Sequence, residues 1–277
     1  MQGLKRRIAA WPFLGRILLA GYRFRLGVAH LRAPVVNLFR WLVTSREVTN
    51  FTYDLEATNK RHLGSLLADV TGESFERIMG YIEEAERDAP LRAHLNESIA
   101  RSGLAFMADD DMRFGRRLGW YALVRILKPT TVVETGVDKG LGSCLLAAAL
   151  ARNQQEGHEG RYYGTDIDPD AGYLLSGDYA GFGEILYGDS LASLRGLDRT
   201  IDLFINDSDH SAAYEAEEYR TVAGKLSPQA VVLSDNAHRS DALLEFSLQA
   251  GRQFVYFQEK PENHWYRGAG IGISFVR

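Results

Sequence analysis

The chemistry of this chain is most legible in the run Thr131-Val-Val-Glu-Thr-Gly-Val-Asp-Lys-Gly-Leu-Gly142 and in Asp166, which follows it. An apolar strand ends in Glu134 and Gly136. Glycines at 136, 140 and 142 let the backbone approach a ligand with no Cβ in the way. A helix is predicted from Leu141 to Arg152, and Ser143 lies in its first turn. The N-terminus of such a helix offers free N–H groups to an anionic or carboxylate-bearing group. A second strand, Arg161 to Ile167, then presents Asp166, an acceptor for a ribose diol. This is the layout of a nucleoside-type cofactor site, although glycines serving only a strand-turn-helix geometry would look the same.

The dinucleotide fingerprint asks for G-x-G-x-x-G. Here the spacing is Gly136-x-x-x-Gly140-x-Gly142, and Asp138 stands where the second glycine belongs. Glu134 and Asp138 would repel a pyrophosphate. They suit a cationic ligand such as the sulfonium and ammonium of S-adenosylmethionine.

The elements that must hold these residues follow from the pattern. Residues 1 to about 127 read as helical, with Phe75, Ile78, Tyr81 and Ile82 at helical spacing. From Pro129 onward strand-like and helix-like runs alternate, which signals a parallel sheet covered on both faces. Strands are expected near 131–135, 161–167, 183–188, 202–206, 229–235, 252–259 and 268–276, and helices near 141–152, 211–226 and 240–250. Lys260 to Arg267 is too short for a crossover helix, so the last two strands should pair antiparallel. The division expected is a basic helical arm (1–50), a helical cap (51–128) and an α/β cofactor-binding domain (129–277).

Bulk numbers bound the class. The 277 residues are 45% hydrophobic and 25% charged, as in a globular protein with one sizeable core. Cys144 is the only cysteine, so neither a disulfide framework nor a cysteine zinc site can form within the chain; this fits a reducing, cytoplasmic location. Net charge is −4, but residues 1–50 carry nine Lys/Arg against Glu47 alone. That surplus of eight leaves −12 for the rest and suggests an acidic partner or membrane surface for the arm. Leu4, Ile8, Trp11, Leu18 and Tyr22 fall at helical spacing with Lys5, Arg16 and Arg23 on a flank. Such a helix suits peripheral contact with anionic lipid, or packing on the chain's own acidic body or a twin subunit in a homo-oligomer. No signal peptide or membrane span is expected.

From residue 120 onward the chain resembles the class I S-adenosylmethionine-dependent methyltransferases. Within them it is similar to small-molecule O-methyltransferases of the catechol and macrocin (sugar) types. Five pieces carry the resemblance: Val133-Glu-Thr-Gly136 to Ser143, Thr165-Asp-Ile-Asp-Pro169, Tyr187-Gly-Asp-Ser190, Asp202-Leu-Phe-Ile-Asn-Asp-Ser-Asp-His210 and Val232-Leu-Ser-Asp-Asn236. It implies a seven-stranded, doubly wound, Rossmann-like α/β sheet ending in an antiparallel hairpin, preceded by a helical extension. It implies cofactor contacts from Glu134, Gly136, Gly140, Gly142, Ser143, Asp166, Asp189, Ser190 and Asp207.

The last two pieces imply the chemistry. Asp207, Asp235 and Asn236 form an oxygen-only set that suits Mg²⁺. A metal there would hold a substrate hydroxyl and lower its pKa. His210, three residues after Asp207, is a candidate general base, with Asp209 to orient it; His238 is a second candidate. Asp and Asn at strand ends also cap helices and make turns. Asn206 and Ser208 depart from the family pattern and leave the position of the first metal-binding aspartate uncertain by one.

The implied acceptor is a small hydroxylated molecule, a sugar-containing natural product, a polysaccharide unit or a phenol. Asn50-Phe-Thr-Tyr53 and His264-Trp-Tyr-Arg267 could line its pocket. No basic patch with interleaved aromatics points to nucleic acid. Two readings from other classes stay open: an NAD(P)-dependent oxidoreductase, and a non-catalytic membrane-associated binding protein.

Overall fold

Seven strands form one sheet in the order β3-β2-β1-β4-β5-β7-β6. The computed structural model describes Trp11, residues 13–48 and residues 51–277. The strands are β1 (Thr131–Thr135), β2 (Arg161–Asp166), β3 (Gly183–Tyr187), β4 (Ile201–Asn206), β5 (Leu226–Ser234), β6 (Gln253–Gln258) and β7 (Gly270–Phe275). The first five run parallel. β6 and β7 pair antiparallel, as their short connection required, and β7 also lies antiparallel beside β5. β1 is buried at every position, which explains why its sequence does not alternate: helices cover both faces of a parallel sheet.

The α-helices among the described residues are α1 (Leu14–Thr44), α2 (Ala57–Thr71), α3 (Phe75–Glu86), α4 (Ala89–Arg101), α5 (Arg117–Leu127), α6 (Leu141–Gln155), α7 (Ser190–Gly196), α8 (Ala212–Ala223) and α9 (Ala242–Gln249). Several begin at sequence-encoded caps. Ser74 accepts from Arg77 N, Asp88 from Leu91 N at 2.9 Å and Asp189 from Ala192 N at 2.8 Å. In α3, Ile78, Ile82 and Ala85 face inward at helical spacing. On one side of the sheet Val133, Phe204 and Val232 pack against Tyr219, Val222 and Leu243 of α8 and α9.

The described residues form two compact units. One comprises α1 with Asn263–Tyr266, where Asn37 Nδ2 donates to the His264 carbonyl and Trp41 meets Trp265 edge-on. The other holds Arg46–Glu262 and Arg267–Arg277, and with them the whole sheet. Of the apolar stripe expected in the arm, Leu4 and Ile8 lie outside the described residues. Trp11 precedes α1, and Leu18 and Tyr22 lie on it, exposed.

Candidate active site

A cavity of about 670 Å³ opens over the carboxyl ends of β1, β2 and β4, within the size range of small-molecule and cofactor sites. That edge is where open α/β sheets bind ligands. Its floor is the turn after β1. Gly136 has φ +78°, and a Cβ there would come within 2.2 Å of the Asp207 carbonyl, so only glycine fits. Asp138 also adopts a left-handed φ, +46°, in the cavity wall. Aspartate tolerates that conformation better than most residues.

Asp166 fixes the turn from the neighbouring strand. Its Oδ2 accepts from the backbone N–H of Val137 and of Asp138, both at 3.0 Å, and its Oδ1 from Asp168 N at 2.9 Å. The carboxylate lies on the cavity wall. Seven aspartates line the cavity (138, 166, 168, 170, 189, 207 and 209), against the cations Arg117 and Lys139. The excess of negative charge favours a cationic ligand over a pyrophosphate.

Behind the wall, Glu218 of α8 ties four elements together. Fully buried, it accepts from Thr135 Oγ1 at 3.0 Å, Ser208 Oγ at 2.9 Å, the Asn206 side-chain amide and the Ser190 hydroxyl. Burial raises its pKa, and the four hydrogen bonds oppose the rise. This contact accounts for the polar Asn206, a departure from the family pattern, at the end of a buried strand. It also removes the uncertainty of one position: Asn206 turns inward, and Asp207 faces the cavity.

The residues expected to hold a metal are disposed differently. Asp235 is fully buried, and Arg116 clasps both its carboxylate oxygens through Nε and Nη2. Burial would raise the Asp235 pKa; the charge and hydrogen bonds of Arg116 outweigh it and hold the carboxyl below its ordinary value. Neither Asp235 nor Asn236 lines the cavity. A guanidinium thus already occupies the oxygens that Mg²⁺ would need, and Asp207, Asp235 and Asn236 do not fit as a metal set. Among the described residues no cluster of three His, Cys, Asp or Glu side chains has ligating geometry.

Asp207 and His210 do converge. His210 Nε2 stands 3.8 Å from Asp207 Oδ1, and both line the cavity. Burial, and then the charge of Asp235, push the Asp207 carboxyl well above its ordinary pKa. Burial lowers that of His210, so its imidazole is neutral at pH 7. Asn236 Nδ2 donates to His210 Nε2 at 2.9 Å, so the amide expected on a metal orients the imidazole instead. His238 Nδ1 accepts from Gly270 N at 3.0 Å and is absent from the cavity wall.

Four residues expected at the cofactor stand elsewhere. Glu134 points under α6, where its Oε2 accepts from Tyr162 Oη at 2.5 Å and Ser143 Oγ at 3.4 Å; burial pushes its pKa up to about 7. A Cβ on Gly142 would meet Glu134 Oε1 at 2.4 Å and Trp120 at 2.8 Å, so this glycine makes room for the inward acid. Gly140 packs against Gly172, and Ser143 is fully buried. None of the four lines the cavity. Gly136, Asp166, Asp189, Ser190 and Asp207 do. Tyr53, expected near the acceptor, is buried and donates to Glu259 Oε2 at 2.8 Å; Asn50 lies outside the described residues. The wall there comes instead from Val48, Leu104, Met107 and Arg117. Sequence reasoning missed Arg116, Arg117, Lys139, Tyr173 and Glu218. The paired arginines of Phe114-Gly-Arg-Arg-Leu-Gly119 stand out in the sequence, but nothing local ties them to Asp235, 119 residues away.

Five parallel strands closed by an antiparallel hairpin, with a glycine-turn cavity at their carboxyl edge, define the class I S-adenosylmethionine-dependent methyltransferase fold. Residues 133–237 of this chain match the family model described as a methyltransferase domain. Among solved structures it is similar to the O-methyltransferase TomG of Streptomyces achromogenes, involved in tomaymycin synthesis and solved with S-adenosylmethionine. Identity is 17%, with 69% of this chain and 91% of that chain covered and a TM-score of 0.51. It is also similar to a methyltransferase from Geobacter sulfurreducens, at 24% identity, 73% and 98% coverage and a TM-score of 0.49. No curated protein matches the sequence.

Proposed function

We propose that the chain transfers a methyl group from S-adenosylmethionine to a hydroxyl of a small acceptor, and that it does so without a metal ion. The donor supplies an electrophilic methyl on a sulfonium; the residues described above supply everything else. Asp166 and the turn at Gly136 to Asp138 hold the donor's ribose side, and the aspartate-rich wall accepts its positive charges. The single observation that carries the reading is this acidic cavity on the Asp166-clamped turn, at the edge where the fold binds its ligands.

Asp207 and His210 are the groups placed to take the acceptor's proton. His210 supplies an imidazole that burial keeps neutral, and burial beside Asp235 makes the Asp207 carboxylate more basic than an ordinary aspartate. Leu104 and Met107, from the segment before the sheet, give the acceptor side an apolar wall, and Arg117 gives it one cation. A phenol or a glycosylated natural product suits such a pocket. The oxidoreductase reading is disfavoured by Asp138, an acid in the turn where a pyrophosphate would lie.

The test is methyl transfer from labelled S-adenosylmethionine to a panel of phenols and glycosides, with and without EDTA. Turnover that survives EDTA supports the reading, and strict dependence on Mg²⁺ removes its metal-free part. Thermal stabilisation by NAD with none by S-adenosylhomocysteine would overturn the cofactor assignment.

A further inference from the structure

α1 carries an unbroken apolar seam. Ile17, Gly21, Phe24, Val28, Leu31, Val35, Leu38 and Leu42 recur at alternating steps of four and three, so they fall on one face of the helix. Six of them are between 44% and 75% exposed, and nothing lies within 4 Å of the place a Cβ on Gly21 would take. On a helical projection Arg25 and Arg32 run along one flank of the seam, and Arg16 and Arg23 along the other. All four are exposed, as is Arg40. The helix contains no acid, and Lys5, Arg6 and Arg7 precede it in the chain.

We infer that α1 docks on an anionic lipid surface, seam downward, with its arginines at the headgroups. Charge decides between the possible occupants. A second α1 packed on the seam would face arginine with arginine, whereas paired helices choose partners by opposite charges beside the seam. An anionic bilayer supplies an apolar layer and negative headgroups in one plane. Long arginine side chains flanking an apolar stripe reach that boundary by snorkelling. No helix among the described residues is long and apolar enough to cross a membrane, so contact is peripheral. The inference is independent of the methyl-transfer reading, because it uses no residue of the cavity.

Co-sedimentation of the full chain with vesicles tests it. Phosphatidylcholine vesicles with about 30% phosphatidylglycerol should retain the protein, and pure phosphatidylcholine should not. Raising salt from about 0.05 to about 0.5 M should release it. Each arginine at an anionic surface is worth about five-fold in partitioning, so Arg25→Gln with Arg32→Gln should weaken retention about 25-fold. Phe24→Asp with Leu31→Asp should reduce it to background, while melting behaviour, which these exposed positions do not control, stays unchanged. No retention on anionic vesicles, or equal retention on neutral ones, overturns the inference. So does a dimer in sedimentation equilibrium that Leu31→Asp dissociates while vesicles bind nothing.

Discussion

Arg116→Ala is the most exacting test of the site's electrostatics. Asp235 has no exposed surface, and Arg116 holds both its oxygens. Removing the guanidinium leaves that carboxylate buried and unpaired beside Asp207, and such a loss costs about 3–5 kcal/mol. At about 2.1 cal/mol/K of unfolding entropy per residue, the 277 residues give about 1.7 °C per kcal/mol. The melting temperature should therefore fall by about 5–9 °C. The loss should also shrink at acid pH, because Asp235 can then be neutral. In the native chain its depressed pKa contributes stability that is present above the ordinary carboxylate pKa and lost as pH falls through the folded value. Arg116→Ala combined with Asp235→Ala should recover more than half of the loss, since the orphaned charge is gone. Calorimetry of the two single variants and the double variant, at pH 5 and pH 8, measures all of this. A single-variant loss below about 1 kcal/mol would show that the pair is solvated, and would return Asp235 to the list of available ligands.

Other predictions concern the cavity and its floor. Asp207→Asn should lower methyl transfer by about 10²–10⁴-fold while calorimetric binding of S-adenosylhomocysteine persists; loss of binding with unchanged turnover at saturation would refute its role as a proton acceptor. S-adenosylhomocysteine at 100 times its Kd should stabilise the protein by about 2.7 kcal/mol, or about 5 °C by the same conversion, and Asp166→Ala should abolish that shift. Gly136→Ala should unfold the turn or displace Asp207, given the 2.2 Å approach of its Cβ to the Asp207 carbonyl; an unaltered melt and unaltered ligand binding would contradict the geometry. Glu134 has a folded pKa of about 7 against an ordinary 4.5, so its contribution is complete below the ordinary value and lost as pH rises towards 7. The loss is on the order of 3 kcal/mol, and Glu134→Gln should flatten the stability profile between pH 5 and 8. An unchanged slope would place the acid in contact with water.

What the sequence determined by itself was local or periodic. The seven strands and the antiparallel pairing of the last two followed from alternating runs and from one connection too short to cross over, while their order in the sheet came from the tertiary structure. The turn at Gly136 and the acid at 166 followed from glycine spacing and a strand end, because both lie within one strand-turn-helix-strand unit. Whether a given carboxylate is available was a different question, and the tertiary structure alone decided it. Asp207, Asp235 and Glu134 all end or follow parallel strands and look alike in the chain. Asp235 is taken by an arginine 119 residues away, Glu134 is turned under α6 against Tyr162, and only Asp207 reaches the cavity. The same holds for Asn206 and Glu218, whose hydrogen bond is formed by packing a helix against a strand. A carboxylate's charge, pKa and reach are set by what surrounds it in space, and those neighbours come from parts of the chain that no local spacing connects.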